Sequence, residues 1–295
     1  MWCSGFHMAS GPANFEVINR EHYDRKYSAV RVDDLIRKVK HLDRFLHDAC
    51  RTDTSWVGMY YGDFRQRLQG AQVLEVRAGD GLNALIMAAL GATVVAVDIS
   101  EVTPRLIGEA ASVLGLARRV TALVGEFDAM PGFAPRSFDF VVGKAFLHHL
   151  THDVEDRYLA KAASLLRPEG EARFVEPAVN SRVLDLIRWV VPVPGRPSCL
   201  QRASFARWRA SDPHPARDNS SRHYLELGAR YFHEAEIVPI GGIERLHRIM
   251  PGGRMNRQFR RIAFRFEALL PYAFRLKIAR AQVVIFRRPR LEVTG

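Results

Sequence analysis

Two carboxylates and a glycine turn carry the readable chemistry of this chain. The run Glu75-Val-Arg-Ala-Gly79-Asp-Gly81 follows Val73-Leu74 and precedes an apolar stretch over 81–90. Glycine lets a backbone turn sharply and approach a ligand, and a helix that follows offers unpaired N–H groups. Nineteen residues after Gly79, Asp98 closes a second apolar stretch, Val94-Val-Ala-Val-Asp98. A carboxylate at that place can accept hydrogen bonds from ribose hydroxyls. Alone, Gly79-x-Gly81-x-x-Ala84 also fits the pyrophosphate turn of nicotinamide enzymes, and it fits a turn that binds nothing. Glu75 bears on the choice. An acid at the strand end can meet an ammonium group, directly or through water, whereas an anionic pyrophosphate gains nothing from it.

Alternating elements are needed to hold such a turn. Short apolar runs at 73–76, 93–97, 120–124, 138–142 and 172–175 read as strands. Between them, 81–90, 104–116 and 153–166 read as helices. This alternation predicts right-handed βαβ units and a parallel sheet covered on both faces. Upstream, a helix is expected over 33–50, capped by Asp33 or Asp34, with Leu35, Ile36, Val39, Leu42, Phe45 and Leu46 on one face. A second is expected over 55–68, and a later one over 179–191. The Pro-, Ser- and Arg-rich stretch 192–221 reads as irregular, and 236–240 and 281–286 as two late strands.

Beyond the turn, segment after segment resembles the class I S-adenosylmethionine-dependent methyltransferases. Val73 to Gly81 is similar to their first motif and Val97-Asp98-Ile99-Ser100 to their second. Gly125-Glu126-Phe127-Asp128-Ala129-Met130-Pro131 looks like their adenine-contacting segment. Ser137 to Val142 resembles their fourth strand, followed here by Leu147-His148-His149-Leu150. Leu165 to Gly170 and Phe174-Val-Glu-Pro177 resemble the turn and strand that come next. The ladder covers about residues 71–177.

The resemblance implies a Rossmann-like fold: a mostly parallel seven-stranded sheet, helices on both faces, an N-terminal helical cap over 1–70 and a core over 71–295. A basic helical insertion over 241–279 is similar to that of a bacterial small-molecule subgroup. It implies S-adenosylmethionine as cofactor and a small-molecule methyl acceptor. Glu75 would hold the methionine amino group, with Ala78, Gly79 and Gly81 along the methionine part. Asp98 would take the ribose diol, Ile99 would pack on the adenine, and Glu126 with the Phe127 N–H would meet its edge. Lys144 follows the fourth strand, beside the cofactor. Tyr23 and Tyr27 would fold over it, since an aromatic face suits a sulfonium. His148 or His149 could act as general base, the competing role being packing in a short turn. The acceptor pocket is expected from 13–30, 144–150, 178–232 and 241–279.

Arg77 departs from the family pattern, which has glycine there. If the backbone must be left-handed at that position, a side chain costs about 1–2 kcal/mol. Either cofactor binding is weakened or Arg77 has been recruited to the site.

Charge is uneven along the chain. Between Arg245 and Arg290 there are thirteen Arg or Lys and one acid, Glu267, leaving about −1 of the total +11 for the rest. Phe259, Ile262, Phe266, Leu269 and Leu270 recur there at helical spacing. Three readings compete: a lid or homodimer helix with a solvated basic face, docking to an anionic membrane surface or lipid-like substrate, and nucleic acid binding. No RNA-binding module is readable, which counts against the last. Three scattered cysteines exclude a disulfide framework, and no leader or long apolar run is read, so a cytoplasmic enzyme is expected.

Overall fold

Residues 12–210 and 217–290 are described by a computed structural model. The ends of the expected 1–70 cap and of the core, and the middle of the expected irregular stretch, lie outside the described residues.

Strands form where apolar residues run nearly unbroken, as expected for a sheet covered on both faces. They are β1 (Gln72–Val76), β2 (Thr93–Asp98), β3 (Val120–Val124), β4 (Phe138–Lys144), β5 (Leu166–Pro177), β6 (Phe232–Ile240) and β7 (Ala281–Pro289). They make one seven-stranded sheet in the order β3-β2-β1-β4-β5-β7-β6. Parallel pairing joins β3 through β5, and β7 runs antiparallel to β5 and β6. The strand order reverses between β1 and β4, which creates a crevice at their carboxyl ends.

Before β1 lie α1 (Pro12–Ser28), α2 (Val32–Lys40), α3 (Leu42–Thr52), α4 (Thr54–Met59) and α5 (Phe64–Arg67). The connections carry α6 (Leu82–Ala89), α7 (Val102–Leu114) and α8 (His152–Leu165). Between β5 and β6 come α9 (Arg182–Val190), α10 (Arg202–Ala210) and α11 (Ser221–Gly228). Between β6 and β7 come α12 (Arg254–Glu267) and α13 (Tyr272–Ile278). Among the described residues no helix is long and apolar enough to cross a membrane.

Three expectations need correction. The helix expected over 33–50 is two, because His41 leaves helical geometry at φ −110° and ψ 42°. The one expected over 55–68 is likewise split into α4 and α5. The stretch 192–221 is not wholly irregular: α10 lies within it, and Phe205 meets Trp189 edge-on at 5.8 Å. Its sequence, Arg-Ala-Ser-Phe-Ala-Arg-Trp-Arg-Ala, has too few apolar residues to show a helical stripe.

Two hydrophobic clusters sandwich the sheet. One joins Val73, Val94 and Val142 to α6, α7 and the helices before β1, with Leu35, Met59 and Phe64 fully buried. The other joins Leu74, Val141 and Phe174 to α8 and α11, around Tyr158 and Tyr224. Near the lower end of β5, Glu171 is fully buried against Arg67, Arg173 and Arg287, at 2.8, 2.8 and 2.9 Å. Burial pushes its carboxyl up, but Arg173 and Arg67 outweigh this and hold it below its ordinary value.

The short α4 depends on its cap. Asp53 accepts hydrogen bonds from the Ser55 and Trp56 N–H groups, satisfying two donors of the first turn. That turn fixes Trp56, whose ring lies 4.0 Å beneath the Lys144 ammonium. We expect Asp53→Ala to lower unfolding free energy by about 1 kcal/mol in urea titration. An unchanged midpoint would show that the cap contributes nothing.

The basic helix α12 is oriented differently from expectation. Its buried stripe is Asn256, Ala263 and Glu267. Arg260 is turned inward onto Glu244 at 2.6 Å, and Glu267 accepts the N–H groups of Gly241, Ile243 and Glu244. Ile262 and Phe266 face solvent instead. The inner face is therefore ionic, because it caps a turn of backbone donors, and Arg260 does not belong to a solvated basic face.

Candidate active site at the crevice between β1 and β4

The site begins where β1 ends. Arg77, Gly79 and Gly81 all have positive φ, at 57°, 65° and 76°. A Cβ at Gly81 would stand 2.2 Å from Ile107, so glycine is what lets α6 pack against α7. The loop is tied down by Ala78 N–H to the Val97 carbonyl and by the Thr103 hydroxyl to the Gly79 carbonyl. Arg77 thus sits in the left-handed backbone that the family's glycine would occupy without strain.

Glu75 is 1% exposed. Its Oε1 accepts from Asn83 Nδ2 at 2.8 Å, and the Tyr60 hydroxyl donates to Asn83 Oδ1 at 3.0 Å. Its Oε2 is buried with no hydrogen-bond partner. Burial pushes this carboxyl up from 4.5 to about 7, against the Asn83 hydrogen bond and the Lys144 ammonium, which lower it. Asn83 and Tyr60 were not among the expected site residues. The signal was available: Asn83 interrupts the apolar run Leu82 to Ala89, and a buried amide in such a helix needs a polar partner.

Asp98 ends β2, 3% exposed. Its Oδ2 accepts Gly79 N–H at 2.8 Å and Oδ1 accepts Ser100 N–H at 2.9 Å. Burial raises its carboxyl, with the two N–H donors opposing. Each oxygen retains a lone pair for a further donor. Ile99, beside it, is buried, and Phe127 packs edge-on against Tyr158 at 5.1 Å.

Arg77 reaches Glu126, donating to both carboxylate oxygens at 3.2 and 3.0 Å. The Tyr158 hydroxyl donates to the same carboxylate at 2.9 Å. Burial works against the Arg77 charge, and Tyr158, Glu126 and Asp98 together outweigh it. The structure therefore joins two expected site residues to each other.

From α1, Tyr23 and Tyr27 stack at 5.6 Å. A Cβ at Gly79 would lie 3.3 Å from the Tyr27 hydroxyl, so this ring covers the glycine turn. Asp24, between them, accepts from Ser100 at 2.5 Å. At the end of β4, Ala145 is also left-handed, at φ 57°. The following turn is organised by buried Glu176, which accepts the N–H groups of Phe146, Leu147 and His148 and meets His148 Nδ1 at 2.6 Å. His149 lies 3.4 Å from the Tyr23 hydroxyl.

A cavity of about 640 Å³ opens beside Ala145 and Glu176, within the size range of small-molecule sites. It is walled by α9, the turn 244–249, α12 and the start of β7. Of the segments expected to form the acceptor pocket, 178–232 and 241–279 contribute, and 144–150 contributes Ala145. Among the described residues 20–30 and 217–232 do not. Asp53, Thr54 and Ser55 contribute from α4, although nothing in their sequence marked them.

Residues 73–170 match the family model for a methyltransferase domain. No curated protein matches the chain. Among solved structures, a geranyl diphosphate C-methyltransferase from Streptomyces coelicolor aligns with a TM-score of 0.53 at 14% identity, covering 95% of this chain and 100% of that one. A 1,6-didemethyltoxoflavin-N1-methyltransferase from Burkholderia thailandensis aligns with a TM-score of 0.52 at 16% identity, covering 97% and 94%. The expected architecture is thus present over nearly the whole chain: the fold is the one these methyltransferases share, and residues 73–170 within it match the methyltransferase-domain model.

Proposed function

We propose that this chain binds S-adenosylmethionine at the β1–β2 ends and transfers its methyl group to an oxygen, nitrogen or carbon of a small metabolite. The observation that carries the reading is Glu75 Oε2, a buried acceptor with no hydrogen-bond partner among the described residues. An ammonium group fits that orphan, and a pyrophosphate does not. The residues present fit the cofactor. Glu75 would hold the amino group, Gly79 and Gly81 would border the methionine chain, Asp98 would accept from the ribose hydroxyls, and Tyr23 and Tyr27 would cover the site. When bound, the cofactor supplies a sulfonium methyl already activated for in-line displacement.

The protein's task is then placement. Orienting an acceptor in line with that methyl would by itself supply about 7–11 kcal/mol of barrier reduction. The cavity beside Ala145 is where the acceptor would sit. If the acceptor carries a proton, His148 would be the group to move it, with Glu176 at Nδ1 holding the ring. His149, against Tyr23, would instead anchor the cap.

Calorimetric titration tests the reading. Saturable binding of S-adenosylhomocysteine in the micromolar range is expected, with no heat from NADH. Binding of NADH and not of S-adenosylhomocysteine would replace this reading with an oxidoreductase.

A further inference from the structure

The cavity carries more positive charge than its own pairing uses. Seven of its lining residues are Arg or Lys and three are acidic. Two of those acids are engaged by backbone donors, Asp53 in the α4 cap and Glu176 in the turn after β4. Glu244, buried behind the wall, takes Arg260 at 2.6 Å and Arg280 at 3.4 Å. Among the described residues, that leaves Arg188, Arg196, Arg245, Arg248 and Lys277 with one ion pair to an acid, Asp185 at 3.8 Å from Arg188, while Glu267 and Glu244 act on Arg245 and Arg248 only through space.

The guanidiniums are also under-bonded. Arg196 is 8% exposed and lies over the Trp189 ring at 5.2 Å. Its Nη2 donates to the Arg188 and Val191 carbonyls, while its Nη1 has no hydrogen-bond partner. Arg245 gives Nη2 to the Ile278 and Ala279 carbonyls at 2.9 Å each, and its buried Nε has none. Burial pushes Arg196, Arg245 and Arg248 down, and the neighbouring guanidiniums push the same way. An open buried donor costs stability unless something accepts from it. Like charges gathered around open donors form a prearranged anion site. The rest of the wall is apolar: Val179, Leu184, Ile187, Val191, Leu246 and Ile249.

We infer that the cavity takes an amphipathic phosphate ester, its apolar body against α9 and the 244–249 turn and its dianionic head on Arg196, Arg245 and Arg248. A phosphate brings about −1.5 to −2 charges and three acceptor oxygens, whereas a carboxylate brings one charge and a single plane of acceptors. Calling this ligand the methyl acceptor rests on the methyltransferase reading; the binding itself does not. The inference also gives part of the basic C-terminal segment a use that is neither a membrane surface nor nucleic acid, because Arg245, Arg248 and Arg280 line a cavity.

Tryptophan fluorescence can follow the titration, since Trp189 lies beneath Arg188 and Arg196. The probes are octyl phosphate, octanoate, octanol and inorganic phosphate. Octyl phosphate should bind at least tenfold more tightly than each of the others. Arg196→Gln, and separately Arg248→Gln, should weaken it at least tenfold while S-adenosylhomocysteine binding stays within twofold. Arg248 donates no hydrogen bond to the described residues, so its variant tests the site even if Arg196→Gln misfolds. Octanol binding as tightly as octyl phosphate, or unchanged affinity in Arg248→Gln, would overturn the inference. So would sedimentation with phosphatidic acid vesicles that octyl phosphate does not compete away, since the charge would then serve a surface. If S-adenosylhomocysteine also fails to bind wild type, the methyltransferase reading fails; if it binds and octyl phosphate does not, only this inference fails.

Discussion

Glu75→Gln is expected to weaken S-adenosylhomocysteine binding about 100-fold at pH 8 and, in the same protein without ligand, to raise stability. Both effects come from one buried carboxylate. Its ordinary pKa of 4.5 is pushed to about 7 by burial. Between those values the folded state holds a proton that the unfolded state has lost. Stability from this group is therefore full below pH 4.5, falls as pH rises through 7, and is flat above. The loss is about 3 kcal/mol. Glutamine has no proton to lose, so the variant should lack this slope in urea titrations between pH 5 and 8. Ligand binding runs the other way. An ammonium is held by the ionised form, so wild-type affinity should rise about tenfold per pH unit below 7 and level off above it. A charge-assisted hydrogen bond contributes about 1.5–3 kcal/mol, hence the size of the loss in the variant. A merely structural Glu75 would give the stability slope without the binding slope, and that result would remove it from the site.

The expected Rossmann-like sheet is present, and the reason is visible in its strands. Val73, Leu74, Val94, Ala96 and Val97 are buried and Val95 is half-buried, so burial wrote itself into sequence as unbroken apolar runs. Asp98 and Glu75 were readable because a charged residue closing such a run has few purely structural uses. Asn83 obeys the same logic, being a buried amide inside an apolar run. The cavity was partly hidden for a different reason. Asp53, Thr54 and Ser55 are brought to it by the packing of α4 on β5 and β7, a tertiary fact without a local signature. The inward turn of Arg260 was hidden too. Its partner Glu244 lies sixteen residues away in a turn, and no helical periodicity announces a pairing between elements.

Arg77→Gly is expected to tighten S-adenosylhomocysteine binding by about 30-fold, the larger part through Glu126. In the present structure that carboxylate is taken, by Arg77 at 3.0 Å and by the Tyr158 hydroxyl at 2.9 Å. It is also the group proposed to meet the adenine amino edge. A ligand must therefore compete with the guanidinium for this carboxylate, and a hydrogen bond to a charged partner costs about 1.5–3 kcal/mol where it is given up, or roughly 10- to 150-fold in affinity. Glycine removes the competitor. It also relieves a left-handed backbone that costs about 1–2 kcal/mol with a side chain, which offsets the lost ion pair, so unfolding free energy should stay within about 1 kcal/mol of wild type. Arg77→Ala divides the two contributions. It keeps the strained backbone and loses the guanidinium, so it should gain affinity like glycine and lose stability where glycine does not. Arg77→Lys keeps both a cation and the strain and should gain little. Calorimetry and urea titration on the three variants read both quantities. Weaker binding in Arg77→Gly would reverse the assignment: Arg77 would then be a ligand contact recruited at a glycine position, with Glu126 serving to hold the arginine in place for the cofactor.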